Sequence, residues 1–166
     1  MNHSPDPDLP ARTTDDPRQF LDIAAPHGRL IGIDAGTKTL GLALSDLTRT
    51  IASPLETIRH TKFRADAARL FLLVAEHGVS GLVVGFPLNL DGTEGPRAQA
   101  TRALTRNLNK LSSLPILLWD ERLTTAKAER MLIQADQTRK RRAEVIDKLA
   151  ATLILQSALD RLRRPL

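Results

Sequence analysis

The stretch from Arg29 to Asp46, RLIGIDAGTKTLGLALSD, constrains the fold more than any other part of the chain. Its first apolar run, residues 30–33, ends in the carboxylate of Asp34, and the turn at residues 35–38 leads into leucines at alternate positions. Alternation of this kind is typical of a half-buried strand, so the stretch predicts a β-hairpin. An ionised carboxylate at the end of a core strand is costly to desolvate unless a partner or a metal is present. Asp34 is therefore a candidate site residue, although a turn-capping role is the alternative.

The length of the chain, 166 residues, suits one domain. Residues 1–27 hold five of the ten prolines among Asp, Ser and Thr, and they lack a long apolar period. We therefore expect residues 1–27 to form a mostly disordered tail, with one or two helical turns within residues 18–25. The folded domain is expected to span residues 28–166.

The pattern within this domain is three strands, then alternating helices and strands, then a long closing helix. Strands are predicted at residues 30–34, 39–45, 50–58, 81–85 and 115–119, and helices at 62–77, 96–111, 124–134 and 143–162, with a basic connector at 135–142. The first three strands would pair as an antiparallel meander, and right-handed crossovers would lay the last two parallel to the first. The predicted class is α/β, with a five-stranded mixed sheet flanked by helices.

Composition removes several kinds of protein. The absence of Cys excludes a disulfide scaffold, a thiolate metal site and a cysteine nucleophile. The aromatic content of 3% argues against binding that stacks bases on an aromatic platform. The chain has neither an apolar run near the roughly 18 residues of a membrane span nor a signal-peptide pattern at its N-terminus. We expect a cytoplasmic protein with no membrane partner.

Two further places supply acids. Asp120 and Glu121 follow an apolar strand, at the carboxyl end where sites form in open α/β sheets. Because successive strand residues point to opposite faces, only one of them can share a face with Asp34, and the longer Glu121 is preferred, with Asp120 capping or bracing the following helix. Asp147 begins an apolar stripe on the closing helix, although a favourable contact with the helix dipole is an equal alternative.

Convergence of Asp34, Glu121 and Asp147 predicts a cation site. Clustered carboxylates repel one another unless a cation lies among them. Hard oxygen ligands without Cys or paired His select Mg²⁺ or Mn²⁺. A pair of such ions can clamp a phosphodiester, activate water and stabilise the leaving oxygen.

The formal charge of +5 favours a polyanionic partner, RNA or DNA first. Donors near the acids, in the hairpin turn, the loop after residue 85 and the turn after the last strand, are Lys38, Asn89, Arg122 and Thr124. The densest basic run is Arg139, Lys140, Arg141 and Arg142, which is either a clamp on nucleic acid or a solvated linker.

Four sequence blocks resemble the YqgF family, also called RuvX or the pre-16S rRNA nuclease family and earlier labelled a Holliday junction resolvase. The blocks are GIDAGTKTLGLALSD at 32–46, VVGFPLNLDGTEG at 83–95, DERLTT at 120–125 and DKLAATLILQSALD at 147–160. The resemblance implies a ribonuclease H-like fold and a metal-dependent nuclease acting on the 5′ end of precursor 16S rRNA, with the ribosome as a partner. It carries the acidic site onto Asp34, Glu121 and Asp147.

Other functions stay open at this point. A resolvase of branched DNA would favour a homodimer, whereas an RNA trimmer works as a monomer or a homodimer. A non-catalytic RNA-binding factor would use the same basic residues. An actin-like ATPase shares the strand, Asp, Gly, Thr pattern, but such enzymes need two domains, and this chain has the length of one.

Overall fold

The computed structural model describes residues 12–124 and 139–165, and for residues 139–147 it describes the backbone alone. The strands are β1 Thr13–Thr14, β2 Arg29–Ala35, β3 Thr39–Ser45, β4 Ala52–Arg59, β5 Val79–Phe86 and β6 Ile116–Asp120. The helices are α1 Pro17–Ile23, α2 Phe63–His77, α3 Pro96–Leu111 and α4 Arg139–Leu162, with a 3-10 turn at Glu121–Leu123. The predicted helix at 124–134 lies outside the described residues after its first position.

The described strands form one mixed sheet in the order β1-β6-β5-β2-β3-β4. Strands β2, β3 and β4 are antiparallel neighbours, and β5 and β6 run parallel to β2. The predicted meander and crossovers are therefore confirmed, but the sheet has six strands rather than five. The additional strand, β1, adds two residues parallel to β6.

Residues 12–27 differ from the predicted tail, because they fold against the domain. Phe20 of α1 is fully buried. Its ring lies over Gly81 of β5, where an added Cβ would come within 2.9 Å of the ring atom Cζ. The predicted helical turns within residues 18–25 are present as α1. The packing of α1 on the domain was not predicted, because a short helix with one buried aromatic residue has no apolar period. Residues 1–11 lie outside the described part.

Two apolar clusters cover the sheet. On one face α2 and α3 pack over residues such as Ile31, Ile33 and Leu118. On the other face α4 packs over β3, β4, β2 and β5 through Ala151, Leu155 and other small or branched residues. Among the described helices, none is both long and apolar enough to cross a membrane.

The closing helix begins earlier than predicted. It already includes Arg139, the first residue described after 124, rather than starting at Ala143, so the basic run at 139–142 lies in helix instead of in a connector. Lys and Arg are good helix formers, and a polar helical turn carries no apolar signal that would extend the prediction. The side chains of this run lie outside the described part of the chain.

Candidate active site

Asp34 and Glu121 lie on the face of the sheet that α4 covers. In β2, an added Cβ on Gly32 would lie 2.6 Å from Leu155 Cβ of α4, so Gly32 faces this helix. Asp34 shares that face because strand side chains alternate. In β6, Trp119 belongs to the same apolar cluster as α4, and alternation places Glu121 beside it. The predicted choice of Glu121 over its neighbour therefore agrees with the geometry.

A glycine makes room for the Glu121 carboxylate. Gly85 of β5 pairs with Trp119 of β6, and β5 lies between β6 and β2. An added Cβ on Gly85 would lie 2.5 Å from both Glu121 Oε1 and Ile154 Cδ1. The carboxylate thus lies over the central strand, close to Asp34, in a space that a side chain at position 85 would fill.

The two carboxyl groups share a hydrogen bond, and the pKa of Glu121 is raised. Burial and the charge of Asp34 raise the pKa of Glu121 to about 7, Arg97 opposes the rise, and the hydrogen bond to Asp34 adds to it. Two like charges brought together away from water favour the protonated form of one of them. A cation placed between them would remove this repulsion, so the pair has the chemistry of a site for a hard cation.

Asp120 has a different role, on the opposite face. Its carboxylate accepts a hydrogen bond from the Arg122 backbone N–H at 3.0 Å and caps the 3-10 turn. The Arg122 guanidinium also pairs with it, with Nη2 2.6 Å from Oδ2. Asp120 therefore caps and braces the 3-10 turn, whereas the helix that it was predicted to cap lies outside the described residues after residue 124.

The third predicted acid, Asp147, lies in the helical part of α4, but its side chain is outside the described part. It precedes Ala151 by one turn, and the Ala151 carbonyl oxygen lies 2.9 Å from the position of an added Cβ on Gly32. The next residue, Lys148, lines the same cleft as Asp34. The backbone therefore brings this turn of α4 to the acidic edge. Among the side chains that the structure describes, no three His, Asp or Glu residues form a metal-binding group.

A cleft of about 1220 Å³ opens beside Asp34. Its Lys and Arg side chains come from the β2–β3 turn, β4, α3 and α4, and are Lys38, Arg59, Arg97 and Lys148. Only Lys38 was predicted as a nucleic-acid contact. Arg97 carries a usable signal, because it follows Pro96 at the start of the helix after the loop at this edge. Arg59 and Lys148 carry no such sequence signal, since their positions at the cleft depend on strand register and helix packing.

His60 holds the turn that follows Asp34. Its Nε2 lies 2.9 Å from the Gly36 carbonyl oxygen, and its Nδ1 lies 2.9 Å from Asp66 Oδ2 of α2. Burial lowers the pKa of this imidazole, but Asp66 and the Gly36 carbonyl outweigh it, and the net pKa is raised. Both ring nitrogens face acceptors, so the protonated ring, a donor at both positions, satisfies this arrangement.

The other predicted donors make internal hydrogen bonds. Asn89 Nδ2 donates to Thr93 Oγ1 at 2.9 Å, and the Thr124 hydroxyl donates to the Glu121 carbonyl oxygen at 3.0 Å. Thr124 is also buried. Arg122 is likewise paired with Asp120. Asn89, Arg122 and Thr124 therefore stabilise the two loops at the site, and none of these three residues lines the cleft.

The family of this chain follows from comparison with known proteins. The family model described as "RuvX: Holliday junction resolvase" matches residues 28–161. The chain belongs to the RuvX family. The match covers every strand from β2 to β6 and nearly all of α4, and it therefore includes the three acids.

Relatives of this RuvX chain are similar over almost their full length. Proteins of Cereibacter sphaeroides and Paracoccus denitrificans are each 60% identical over 144 residues, which is 87% of this chain and 90% or 91% of theirs. A protein of Methylocella silvestris is 56% identical over 157 residues, covering 95% of this chain and 91% of its own. Each bears the name "Putative pre-16S rRNA nuclease".

The fold of the RuvX chain also resembles solved structures. Thermus thermophilus RuvC in complex with a Holliday junction substrate matches with a TM-score of 0.52 at 16% identity, covering 82% of this chain and 96% of that one. A second Thermus thermophilus RuvC structure gives 0.51 at 14% identity, covering 81% and 96%. This likeness, with the observed sheet order, confirms the ribonuclease H-like fold.

The acid pair predicts a pH dependence for the metal-free RuvX chain. Between the ordinary Glu pKa of 4.5 and about 7, folded Glu121 keeps a proton that the unfolded chain has released. The free energy of unfolding should therefore fall as pH rises through this window. Urea unfolding at pH 5 and pH 7.5 measures the slope, and Glu121→Gln should remove this part of it. Equal slopes in the two proteins would contradict the raised pKa.

Proposed function

We propose that this chain is a divalent-metal-dependent nuclease that hydrolyses phosphodiester bonds in RNA, in the maturation of the 5′ end of precursor 16S rRNA. The observation that carries the proposal is the half-buried, hydrogen-bonded pair of Asp34 and Glu121 beside a cleft lined by four Lys and Arg side chains. The names of the relatives support the RNA substrate. Such a substrate implies work in the cytoplasm, on the assembling ribosome.

The acids would hold Mg²⁺ or Mn²⁺. Asp34 and Glu121 offer oxygen ligands on one face, and Asp147 is proposed as the third ligand because its turn of α4 lies at the same edge. Oxygen donors without Cys select these ions. The bound metal would supply an activated water and stabilise the leaving oxygen.

The protein itself would supply position and charge. Lys38, Arg59, Arg97 and Lys148 would bind the phosphates of the backbone, and such contacts fix the register of a nucleic acid without reading its sequence. Glu121 would give up its proton when a cation binds, since the repulsion that raises its pKa would then be relieved. We also propose that the basic run at Arg139, Lys140, Arg141 and Arg142 extends this contact surface.

A second candidate function is cleavage of four-way DNA junctions. The description of the matching family and the substrate in the RuvC complex favour it. Since a junction has two-fold symmetry, a resolvase would act as a homodimer, which presents its two sites through the same symmetry.

The experiment is cleavage with Mg²⁺ or Mn²⁺ of three equal-length substrates: a 5′-extended 16S rRNA fragment, a four-way DNA junction and a linear DNA duplex. We expect cleavage of the RNA alone and no product with EDTA. Cleavage of the junction alone would replace the proposal with the second function. Salt-sensitive binding without any product would make the chain an RNA-binding factor instead.

A further inference from the structure

Leu90 is exposed to an unusual degree. Its side chain is 95% exposed, whereas the other large exposed apolar side chains of the described residues range from 39% to 63%. It lies in the loop between β5 and α3, at the carboxyl edge of the sheet, where the acids lie. Single exposed apolar residues are common, so the surroundings of Leu90 must decide whether it has a function.

The loop that carries Leu90 is a small closed hairpin. Leu88 bridges Glu94, and the Asn89 N–H donates to the Thr93 carbonyl at 2.8 Å. Asp91 Oδ1 accepts from both the N–H and the hydroxyl of Thr93, at 3.0 Å and 2.6 Å. A contact made by Leu90 would therefore need little further ordering of the loop, as in a preorganised binding surface.

Two arginine side chains hold this hairpin against the end of β6 and against α3. Arg122 Nη1 approaches the Leu90 carbonyl oxygen at 3.4 Å, and Arg122 directly follows Glu121. On the other side Arg102 pairs with Glu94. Arg97, the second residue of the helix that the loop enters, lines the cleft. The exposed leucine thus lies on the loop that connects β5 to α3, the helix that carries Arg97 into the cleft.

Nucleic-acid bases offer a flat apolar surface, and this chain has few groups to meet one. No Phe or Trp belongs to the described lining of the cleft. Proteins that open or bend nucleic acids insert apolar wedges, leucine among them, between neighbouring bases. Leu90 has the chemistry and the exposure for this contact.

We propose that Leu90 packs against an unstacked base of the substrate, next to the phosphate bound in the cleft. The proposal rests on the proposed nuclease function for the nature of its ligand. In this proposal an uncharged side chain takes part in substrate recognition. The internal hydrogen bonds of the loop would hold Leu90 in position for this contact.

The test measures binding and base unstacking without cleavage. Asp34→Asn protein, with and without Leu90→Ala, is titrated with 5′-extended rRNA fragments and four-way junctions that each carry one 2-aminopurine. We expect the leucine to raise the fluorescence at one position, and Leu90→Ala to lose this rise and bind about tenfold more weakly. Leu90→Phe should keep both, and Leu111→Ala, a leucine 56% exposed at the end of α3, should change neither.

Equal fluorescence and equal affinity with and without Leu90 would overturn the proposal. Loss of binding to purified small ribosomal subunits, with unchanged binding to naked RNA and DNA, would also overturn it, in favour of a protein partner. The experiment measures binding and fluorescence and does not depend on cleavage. Failure of the wild type to cleave any substrate would therefore reject the proposed function without deciding whether Leu90 contacts a base. Thermal unfolding of each variant checks that the fold is unchanged.

Discussion

Replacing Asp34 by asparagine should abolish metal-dependent cleavage and make the metal-free protein more stable. Activity should fall at least about a hundredfold, since even an outer partner of a metal ligand is worth 10- to 100-fold. Stability should rise because the amide removes the charge that raises the pKa of Glu121. Cleavage rates with Mn²⁺ and urea unfolding without metal measure the two effects, and NMR titration of Glu121 should give a pKa nearer its ordinary 4.5.

The matched control is Asp120→Asn. This carboxylate is next to Glu121 in the chain but lies on the other face of the sheet, where it caps the 3-10 turn and pairs with Arg122. This substitution should cost less than about 1 kcal/mol of stability, because Asn caps a helical turn as well as Asp does and only the charge of the partly exposed ion pair is lost, and it should leave most of the activity. Wild-type rates in Asp34→Asn, or full activity of the wild type in EDTA, would rule out the proposed mechanism.

Replacing Gly85 by alanine should damage the site and the fold together. The new methyl group would lie 2.5 Å from both Glu121 Oε1 and Ile154 Cδ1, so the carboxylate and the helix side chain must move. Overpacking of this kind costs about 1–3 kcal/mol. Urea unfolding measures this loss, and Mn²⁺ titration followed by electron paramagnetic resonance should show weaker binding.

Two other glycines serve as comparisons. Gly32→Ala would meet Leu155 Cβ at 2.6 Å and the Ala151 carbonyl oxygen at 2.9 Å, so α4 itself must shift, and we expect a stability loss at least as large. Gly95→Ala would meet nothing closer than 3.4 Å and should cost less than about 1 kcal/mol. If Gly85→Ala bound Mn²⁺ like the wild type, the carboxylate over β5 would not be part of the metal site.

Part of this site was predictable from the sequence because strands have a fixed period. Asp34 ends an apolar run, and alternation limits which of Asp120 and Glu121 can share its face. The order of the elements gave the meander and the parallel crossovers, so the edge where the acids lie followed from topology. These inferences need only local pattern and chain order.

The rest depends on packing between distant segments. The space over Gly85 is filled by Ile154 from α4 and by Glu121 from the 3-10 turn after β6. The His60 ring contacts both Asp66 and the Gly36 carbonyl oxygen, and the spacing of these residues in the sequence does not predict either contact. Arg59 and Lys148 reach the cleft by the same kind of convergence. Residues 12–27 have the composition of a disordered tail, and this composition does not indicate that Phe20 is buried against the domain.

The short strand β1 has a consequence for any shortened form of this protein. Thr13 and Thr14 occupy the hydrogen-bonding edge of β6, and the Arg12 carbonyl accepts from the Ile116 N–H at 2.8 Å. A version beginning at Gly28 would leave that edge open and uncover the slot that Phe20 fills. Unpaired sheet edges beside exposed apolar surface pair with strands of other molecules. We therefore expect the truncated protein to self-associate.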